Sequence, residues 1–579
     1  MADSIFSRLF GRVSEFITGR TPWHELGVTL GLARLRRIRD KLRADNLHDT
    51  SKVISANNPP PLGKPEERHR MARTIDGTYN DLSQPRMGSV ETRFGRNVPL
   101  EHVVPDEGAA LVTPSPRAVS LELMTRHNFQ PATTLNLMAA SWIQFQIHDW
   151  MSHGKNEKEN PIEVPLRADD NWPERPMLVR RTRRDPTRPP SDTVKTPTFV
   201  NSETHWWDAS QLYGTTQETL MKVRSGKDGK LVIGNDGLLP VDPFTGIDIS
   251  GVTGNWWVGL SMFHVVFTLE HNAICDHLRA KNPMWSDEEL FNKARLINAA
   301  LLAKIHTIEW TTAILNHPTA QAGLHGNWLT IPRSQTDHHG VPYSITEEFT
   351  SVYRMHPLMP DDFTFRSLAD NRVLMQRPLQ QVIGRHAREI VTQISMPDLF
   401  YSFGMSHPGA ITLHNYPRFM QRLEREDAPL IDLAAVDILR DRERGVPRYN
   451  KFRQLLDMPR VETFEELTGD NKPLAEEIRR VYNNDIDRVD LMVGLYAEPL
   501  PKGFGFSDTA FRIFILMATR RLKSDRFFTV DYTPKVYTQA GLDWIEENTM
   551  GTILARHFPP LKRFLNKKVN AFQPWREQH

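Results

Sequence analysis

Three short segments hold residue types that could do chemistry together. In Ser141-Trp142-Ile143-Gln144-Phe145-Gln146-Ile147-His148-Asp149-Trp150, Gln144 and His148 are four apart, so a helix puts them on one face. A carboxamide beside a neutral imidazole suits a small polar ligand such as water or peroxide. Asp149 points about 100° away and serves a different site. In Thr204-His205-Trp206-Trp207-Asp208-Ala209-Ser210, alternate residues Thr204, Trp206, Asp208 and Ser210 offer a hydroxyl, a backbone carbonyl, a carboxylate and a second hydroxyl. Alternating oxygen donors in a tight loop suit Ca2+, which takes about six to eight of them, and Asp149 can add a carboxylate from the helix. In Val352-Tyr353-Arg354-Met355-His356-Pro357, Tyr353 and His356 stand at i and i+3 of a helix turn, about 60° apart and about 4.5 Å along the axis. If His356 ligates a haem iron, Tyr353 reaches the macrocycle edge and can lose an electron to it.

Each segment alone has a plainer explanation. The first could be a buried polar helix, the second a turn capped by Thr and Asp, the third a structural Tyr-x-x-His pair. Among 22 histidines, a lone one is ordinarily a packed or surface residue, so only the set carries weight. The chain lacks a phosphate-binding glycine loop, H-E-x-x-H, C-x-x-C and a G-x-S-x-G elbow, which removes the usual nucleotide hydrolases, Rossmann dehydrogenases, zincins and serine hydrolases. Histidine-centred chemistry remains.

Glu270-His271-Asn272-Ala273-Ile274-Cys275-Asp276 resembles the Glu-His-Asn helix of the animal-type peroxidase and cyclooxygenase superfamily. Gln144, His148-Asp149, the alternating oxygen loop, Glu270-His271-Asn272 and Tyr353-x-x-His356 follow that superfamily's chain order. Within it the chain is most similar to the fatty-acid α-dioxygenases. Thr92-Arg93-Phe94-Gly95-Arg96-Asn97, Ile147-His148-Asp149-Trp150, Trp206-Trp207-Asp208, His306-Thr307-Ile308-Glu309-Trp310-Thr311, Val352-Tyr353-Arg354-Met355-His356 and Asp525-Arg526-Phe527-Phe528-Thr529 carry the similarity, which runs from about residue 90 to about residue 560.

The resemblance implies a mainly α, cyclooxygenase-like haem-peroxidase fold with long loops and very little β. It implies haem b, with His356 as proximal ligand and His148 on the distal side, assisted by Gln144. Tyr353 would form the radical. Asp149, Thr204, Trp206 (through its carbonyl), Asp208 and Ser210 would hold Ca2+. His306, Thr311 and Arg526 would bind the substrate carboxylate, with Arg526 preferred over Arg520 and Arg521 on motif spacing. Asn415, in Leu413-His414-Asn415-Tyr416-Pro417, is a guessed partner for the proximal imidazole N–H. The implied reaction adds O2 to carbon 2 of a fatty acid after activation by a peroxide, giving a 2(R)-hydroperoxide. A clamped carboxylate leaves only the adjacent carbon within reach of the phenol. His306 and Thr311, five apart and about 140° around an α-helix, could equally be ordinary buried polar residues. Three other readings remain: a peroxidase of small donors, a mid-chain fatty-acid oxygenase of the cyclooxygenase or linoleate diol synthase type, and a lipid-surface protein that has lost haem.

Stepping outward, the elements that must position these residues read as helices. Helical periodicity marks 134–153, 257–281, 287–316, 378–396, 474–495 and 507–524, and turn chemistry at 226–238 predicts the one clear hairpin. Motifs that must meet are spread from residue 144 to residue 526, which argues for one interwoven catalytic domain, 91–579, preceded by an N-terminal region, 1–90. In that region Ile5, Phe6, Leu9, Phe10, Val13, Phe16 and Ile17 repeat at helical spacing, and residues 32–43 form a basic amphipathic stretch. Two readings stay open: helices resting on anionic lipid through residues 1–45, or helices packed on the catalytic domain. Residues 58–66 read as a linker, and 154–200, with Arg180, Arg181, Arg183 and Arg184, as a solvated loop. With 72 basic against 70 acidic residues, a net charge of +2, nothing drives binding to nucleic acid. A single cysteine, Cys275, rules out an internal disulfide. No signal peptide or spanning segment is visible; a cytoplasmic monomer, peripheral to a membrane at most, is expected.

Overall fold

Helices that bury apolar side chains on most of their circumference build this molecule from its centre outward. The computed structural model describes residues 21–53, 60–189, 191–332, 334–425 and 428–576; the predicted first helix, at Ile5–Ile17, lies outside them. The chain is about 47% helix and 8% strand, and the strands form only two-stranded antiparallel pairs. One hydrophobic core runs from Trp23 to Trp575.

The helices that position the site are labelled here in chain order. α1 (Val28–Asp45) is the predicted basic stretch. It packs on the helix Pro318–Thr330 and on the C-terminal helix Asp508–Lys523, with Arg39 donating to Asn327 and Arg43 to Thr519. α2 (Met138–Trp150) is apolar nearly all round and leaves only Gln144, Ile147 and His148 uncovered. Its end is tied down by Asn201, which donates to the Trp150 carbonyl and accepts from Ser152 N–H. α3 (Val258–Lys281) and α4 (Asp287–Ile305) pack against each other behind it. α4 starts from a reciprocal Ser286–Glu289 capping box. It continues into a π-helical turn, His306–Trp310, and then the helical turn Thr311–Ile314. α5 (Glu347–Val352), α6 (Leu433–Glu443) and α7 (Asp508–Lys523) close the other side.

Three elements differ from the sequence reading. The stretch 474–495 is two helices, Lys472–Val481 and Leu491–Ala497, because Asn483 and Asn484 take left-handed conformations that end the first. Residues 226–238 make a single bridge, Arg224 to Leu231. A clear hairpin instead pairs Asp362–Arg366 with Val373–Pro378, where the sequence suggested helix from 378 onward. The arginine-rich loop is neutralised as well as solvated: Arg183 chelates Glu91 and Arg184 meets Glu157. Among the described residues no helix is long and apolar enough to cross a membrane.

Candidate active site

Tyr353 and His356 do not share a helix turn. α5 ends at Val352, and a 3-10 turn, His356–Leu358, begins four residues later. Pro357 in its first turn explains the break, since it has no N–H to give the Tyr353 carbonyl four residues back and its ring crowds that carbonyl. The connecting turn is held from outside. Asp437 and Asp441, i and i+4 on α6, present one face to it. Asp441 accepts from Arg354 Nη1 and Ser351 Oγ, each at 2.6 Å, and the Arg354 carbonyl accepts from Tyr496. Asp437 Oδ2 lies 2.8 Å from His356 Nδ1 and accepts from Tyr416 at 3.0 Å.

The guessed partner Asn415 is therefore corrected to Asp437. Asn415 is spent elsewhere: its oxygen accepts from Arg126 and Gln130, and its amide donates to the carbonyls of Gln130 and Ala410. Burial would raise the Asp437 carboxyl, but His356 and Arg354 outweigh it and hold the group low. With Nδ1 facing a carboxylate, His356 Nε2 is the ring nitrogen left free to ligate.

α5 itself is anchored by its first turn. Thr346 caps it by accepting from Phe349 N–H. Glu348 accepts from Arg96 Nε and Asn97 N–H, which gives the Arg96-Asn97 motif its role. Gly95 is required where this segment runs beside the entry to α5: a Cβ there would sit 2.5 Å from Ser344 Oγ. Glu347 meets His153 at 3.0 Å and Arg444 at 3.7 Å. Burial would raise the Glu347 carboxyl, yet His153, Arg444 and Arg96 pull it down to about 2. His153 is pushed down to about 4, chiefly by burial, so near neutral pH the arginines supply the charge and the imidazole a hydrogen bond.

On the other side, burial lowers His148 to about 4, so its ring is neutral at physiological pH and can accept a proton. Gln144 borders the same face but is pinned, donating to the Asn255 carbonyl and accepting from Trp257 Nε1. Gln144, Ile147 and His148 on α2 and the 31% exposed His356 side chain keep surface that the protein leaves uncovered, as side chains that would hold a porphyrin must.

Asp149 turns to the oxygen loop, as the 100° offset requires. Its Oδ1 accepts from Ser210 N–H and Oγ. Ala209 adopts a left-handed conformation, φ 64°, at the turn between Asp208 and Ser210. Asp149 Oδ2 and Asp208 Oδ1 are buried without a hydrogen-bond partner. Burial pushes both carboxyls up, and the Asp208 charge adds to the rise at Asp149. With Thr204, the Trp206 carbonyl and Ser210 in the same loop, this donor set suits a hard divalent cation.

A π turn sets the geometry between His306 and Thr311. Its i to i+5 bonding, seen in the bond from Thr311 N–H to the His306 carbonyl, brings residues five apart close to one face, unlike an α-helix. Both are buried. His306 Nδ1 accepts from Trp142 Nε1 at 3.2 Å, which leaves the proton on Nε2 as a donor. Burial, then the Arg521 charge, hold this ring far below the usual histidine range. Thr311 Oγ1 donates back to the His306 carbonyl at 2.8 Å.

Arg526 does not join them, and this corrects the sequence choice. It follows α7 in a separate 3-10 turn, where it donates to the carbonyls of His69, Arg70 and Asn80 and pairs with Asp531. Arg520 is likewise spent, on the carbonyls of Ser344, Val341 and Pro342. Arg521 is the arginine at the site. Its guanidinium lies 4.0 Å from the Trp150 ring centroid and 4.6 Å from that of Trp207. Trp150 in turn contacts His306 and Tyr353 edge-on, at 5.0 and 5.6 Å between centroids. Arg521 is 2% exposed, and its Nε and Nη2 have no hydrogen-bond partner among the described residues. The available signal was helical phase: Phe514, which stacks toward Tyr353, and Arg521 are seven apart on α7 and share a face. Burial holds the Tyr353 phenol well above its ordinary range, with Arg521 opposing. A cavity of about 290 Å3 near the His356 segment, lined by Arg126, Phe129, Phe363, Phe403, His407 and Arg418, includes none of these residues.

The chain is similar to known proteins over most of its length. Residues 72–570 match the animal haem peroxidase family. Alpha-dioxygenase 2 of Arabidopsis thaliana is 38% identical over 590 residues, 96% of this chain and 91% of its own length. Alpha-dioxygenase PIOX of Oryza sativa is 37% identical over 592 residues, covering 96% and 93%. The crystal structure of Oryza sativa fatty acid alpha-dioxygenase, as a tyrosine-to-phenylalanine variant with palmitic acid, superposes with a TM-score of 0.89 at 34% identity, covering 99% of this chain and 98% of that one. This chain belongs to the animal haem peroxidase family, and within it to the alpha-dioxygenases.

Proposed function

We propose that this protein is a haem-dependent fatty-acid α-dioxygenase that adds O2 at carbon 2, with Tyr353 removing the hydrogen. The observation that carries the reading is Arg521: a buried guanidinium with two nitrogens unpaired, next to a neutral imidazole donor and one aromatic ring away from Tyr353. A buried unpaired cation costs several kcal/mol and is tolerated where an anion completes it. A carboxylate answers both Arg521 and His306 Nε2–H.

His356 would hold the haem, steadied by Asp437, and the haem, when bound, supplies the oxidising power drawn from a peroxide. His148 takes the first proton of the peroxide and returns it to the departing oxygen. Gln144 shapes the wall beside it. Tyr353, kept as a protonated phenol, would give one electron to the bound haem and its proton to water, and the neutral phenoxyl would then take one hydrogen atom from carbon 2 and return to the phenol. Arg521, His306 and the close packing of Thr311 fix the carboxylate end, which brings carbon 2 and no later carbon to the phenol oxygen. Fixing of this kind is worth at most about 7–11 kcal/mol. O2 then adds to the carbon radical, and the resulting peroxyl takes a hydrogen atom back from the Tyr353 phenol to give a 2(R)-hydroperoxide and re-form the phenoxyl. Asp149, Thr204, Trp206, Asp208 and Ser210 would hold Ca2+, linking the end of α2 to the 204–210 loop.

Oxygen uptake with palmitate, followed by mass spectrometry, tests this. A 2-hydroperoxide or its one-carbon-shorter aldehyde is expected. Oxygen on a mid-chain carbon, or donor oxidation that survives Tyr353→Phe unchanged, would overturn it.

A further inference from the structure

The guanidinium that would bind the carboxylate also roofs two indoles. Trp150 touches Tyr353 edge-on and Trp207 at 5.3 Å. Phenols and indoles are oxidised at similar potentials, so a phenoxyl in contact with an indole is free to draw an electron from it. Such leakage would move the oxidising equivalent away from the substrate and damage the protein. We propose that Arg521 confines the oxidising equivalent to Tyr353 by making Trp150 and Trp207 hard to oxidise. This rests on the reading of Tyr353 as the radical residue.

The electron and proton balance explains why the shield is selective. Tyr353 loses an electron and a proton, so its oxidised form is neutral and gains no charge beside Arg521. Trp150 would give one electron to the phenoxyl, which becomes a phenolate and takes up one proton from water to return to the phenol. The Trp150 Nε1–H is buried with no acceptor among the described residues, so the proton stays and the product is an indole cation radical. That cation would form 4.0 Å beneath a fixed positive charge. Trp207 donates its N–H to the Gln146 amide oxygen at 2.9 Å, which is too weak a base to take the proton, and it lies 4.6 Å from the same guanidinium. Like charges at that range in a water-poor interior repel strongly. Once a substrate carboxylate neutralises Arg521 the shield relaxes, but the hydrogen to be abstracted is then in place.

The test uses holoenzyme treated with peroxide in the absence of fatty acid, read by electron paramagnetic resonance and by peptide mass spectrometry for oxygenated Trp150 and Trp207. Wild type should show a tyrosyl signal with both tryptophans intact. Arg521→Gln should yield several-fold more oxygenated Trp150 and a shorter-lived tyrosyl signal, and adding Trp150→Phe should restore that lifetime. Arg521→Lys, which keeps the charge, should stay near wild type. A tyrosyl signal in Arg521→Gln with no more Trp150 oxidation than wild type overturns the shield. Trp150→Phe alone leaves Arg521 untouched and should not alter the yield or decay of the wild-type signal; a change in either would show that Trp150 already carries the hole, and also overturns it. A wild-type signal that persists in Tyr353→Phe instead defeats the reading of Tyr353 itself.

Discussion

At the scale of single residues, the distinction between Arg521 and Arg526 is electrostatic. Arg526 has its fork filled by backbone carbonyls and Asp531, whereas Arg521 is buried with nitrogens to spare. A charge-assisted hydrogen bond is worth roughly 1.5–3 kcal/mol. Arg521→Ala should therefore lower kcat/KM for palmitate by about 10- to 100-fold, with the haem absorbance unchanged. Arg526→Ala should lower Tm by unpinning residues 69–80, while the folded fraction keeps its kcat/KM. Steady-state kinetics beside thermal unfolding separates the two. Asp437→Ala removes the carboxylate behind His356, and loss of such an outer partner typically costs about 10- to 100-fold in affinity. Faster loss of the Soret band to a competing apo-haem protein is expected.

At the scale of elements, two short departures from regular helix place the chemistry. The π turn at His306–Trp310 brings Thr311 toward the face of His306, and the break after Val352 frees Tyr353 and His356 from a common helix. α5 is held by Glu347, whose carboxyl is depressed to about 2. A depressed acid stabilises the fold fully above its unfolded value of about 4.5 and loses that contribution as pH falls toward about 2. Glu347→Gln should therefore lower Tm at pH 7, and the gap from wild type should narrow as pH drops through that window. A gap independent of pH would show that packing, not charge, anchors this helix.

At the scale of the whole molecule, α2 and the 204–210 loop meet through two buried carboxyls, both pushed up by burial although Arg295 lies 3.4 Å from Asp208, and a cation bound between them would let both ionise. Ca2+ that binds only the folded chain at about 100 times its Kd adds roughly 2.7 kcal/mol of stability. Chelation should lower Tm, added Ca2+ should restore it, and Asp208→Ala should abolish the response in a calorimetric scan. α1 packs on α7 and on Pro318–Thr330, so the described part of the N-terminal region leans on the catalytic helices.

Local chemistry made much of this legible in the chain alone. Four-residue spacing set Gln144 and His148 on one face and turned Asp149 away. Alternating oxygen donors marked the 204–210 loop, and apolar periodicity marked most of the long helices. These are properties of neighbours within a few residues, where backbone geometry is nearly determined. Tertiary structure alone decided which arginine of three packs on Trp150 beside His306 and Tyr353, because competing carbonyls occupy the other two. It also decided that Asp437, 81 positions from His356 in the chain, and not Asn415, backs the imidazole. Whether His306 and Thr311 face the same way depended on one extra residue in a helical turn. A buried polar group takes whichever partner folding leaves nearest, and that choice is made across the whole chain, beyond the reach of spacing along it.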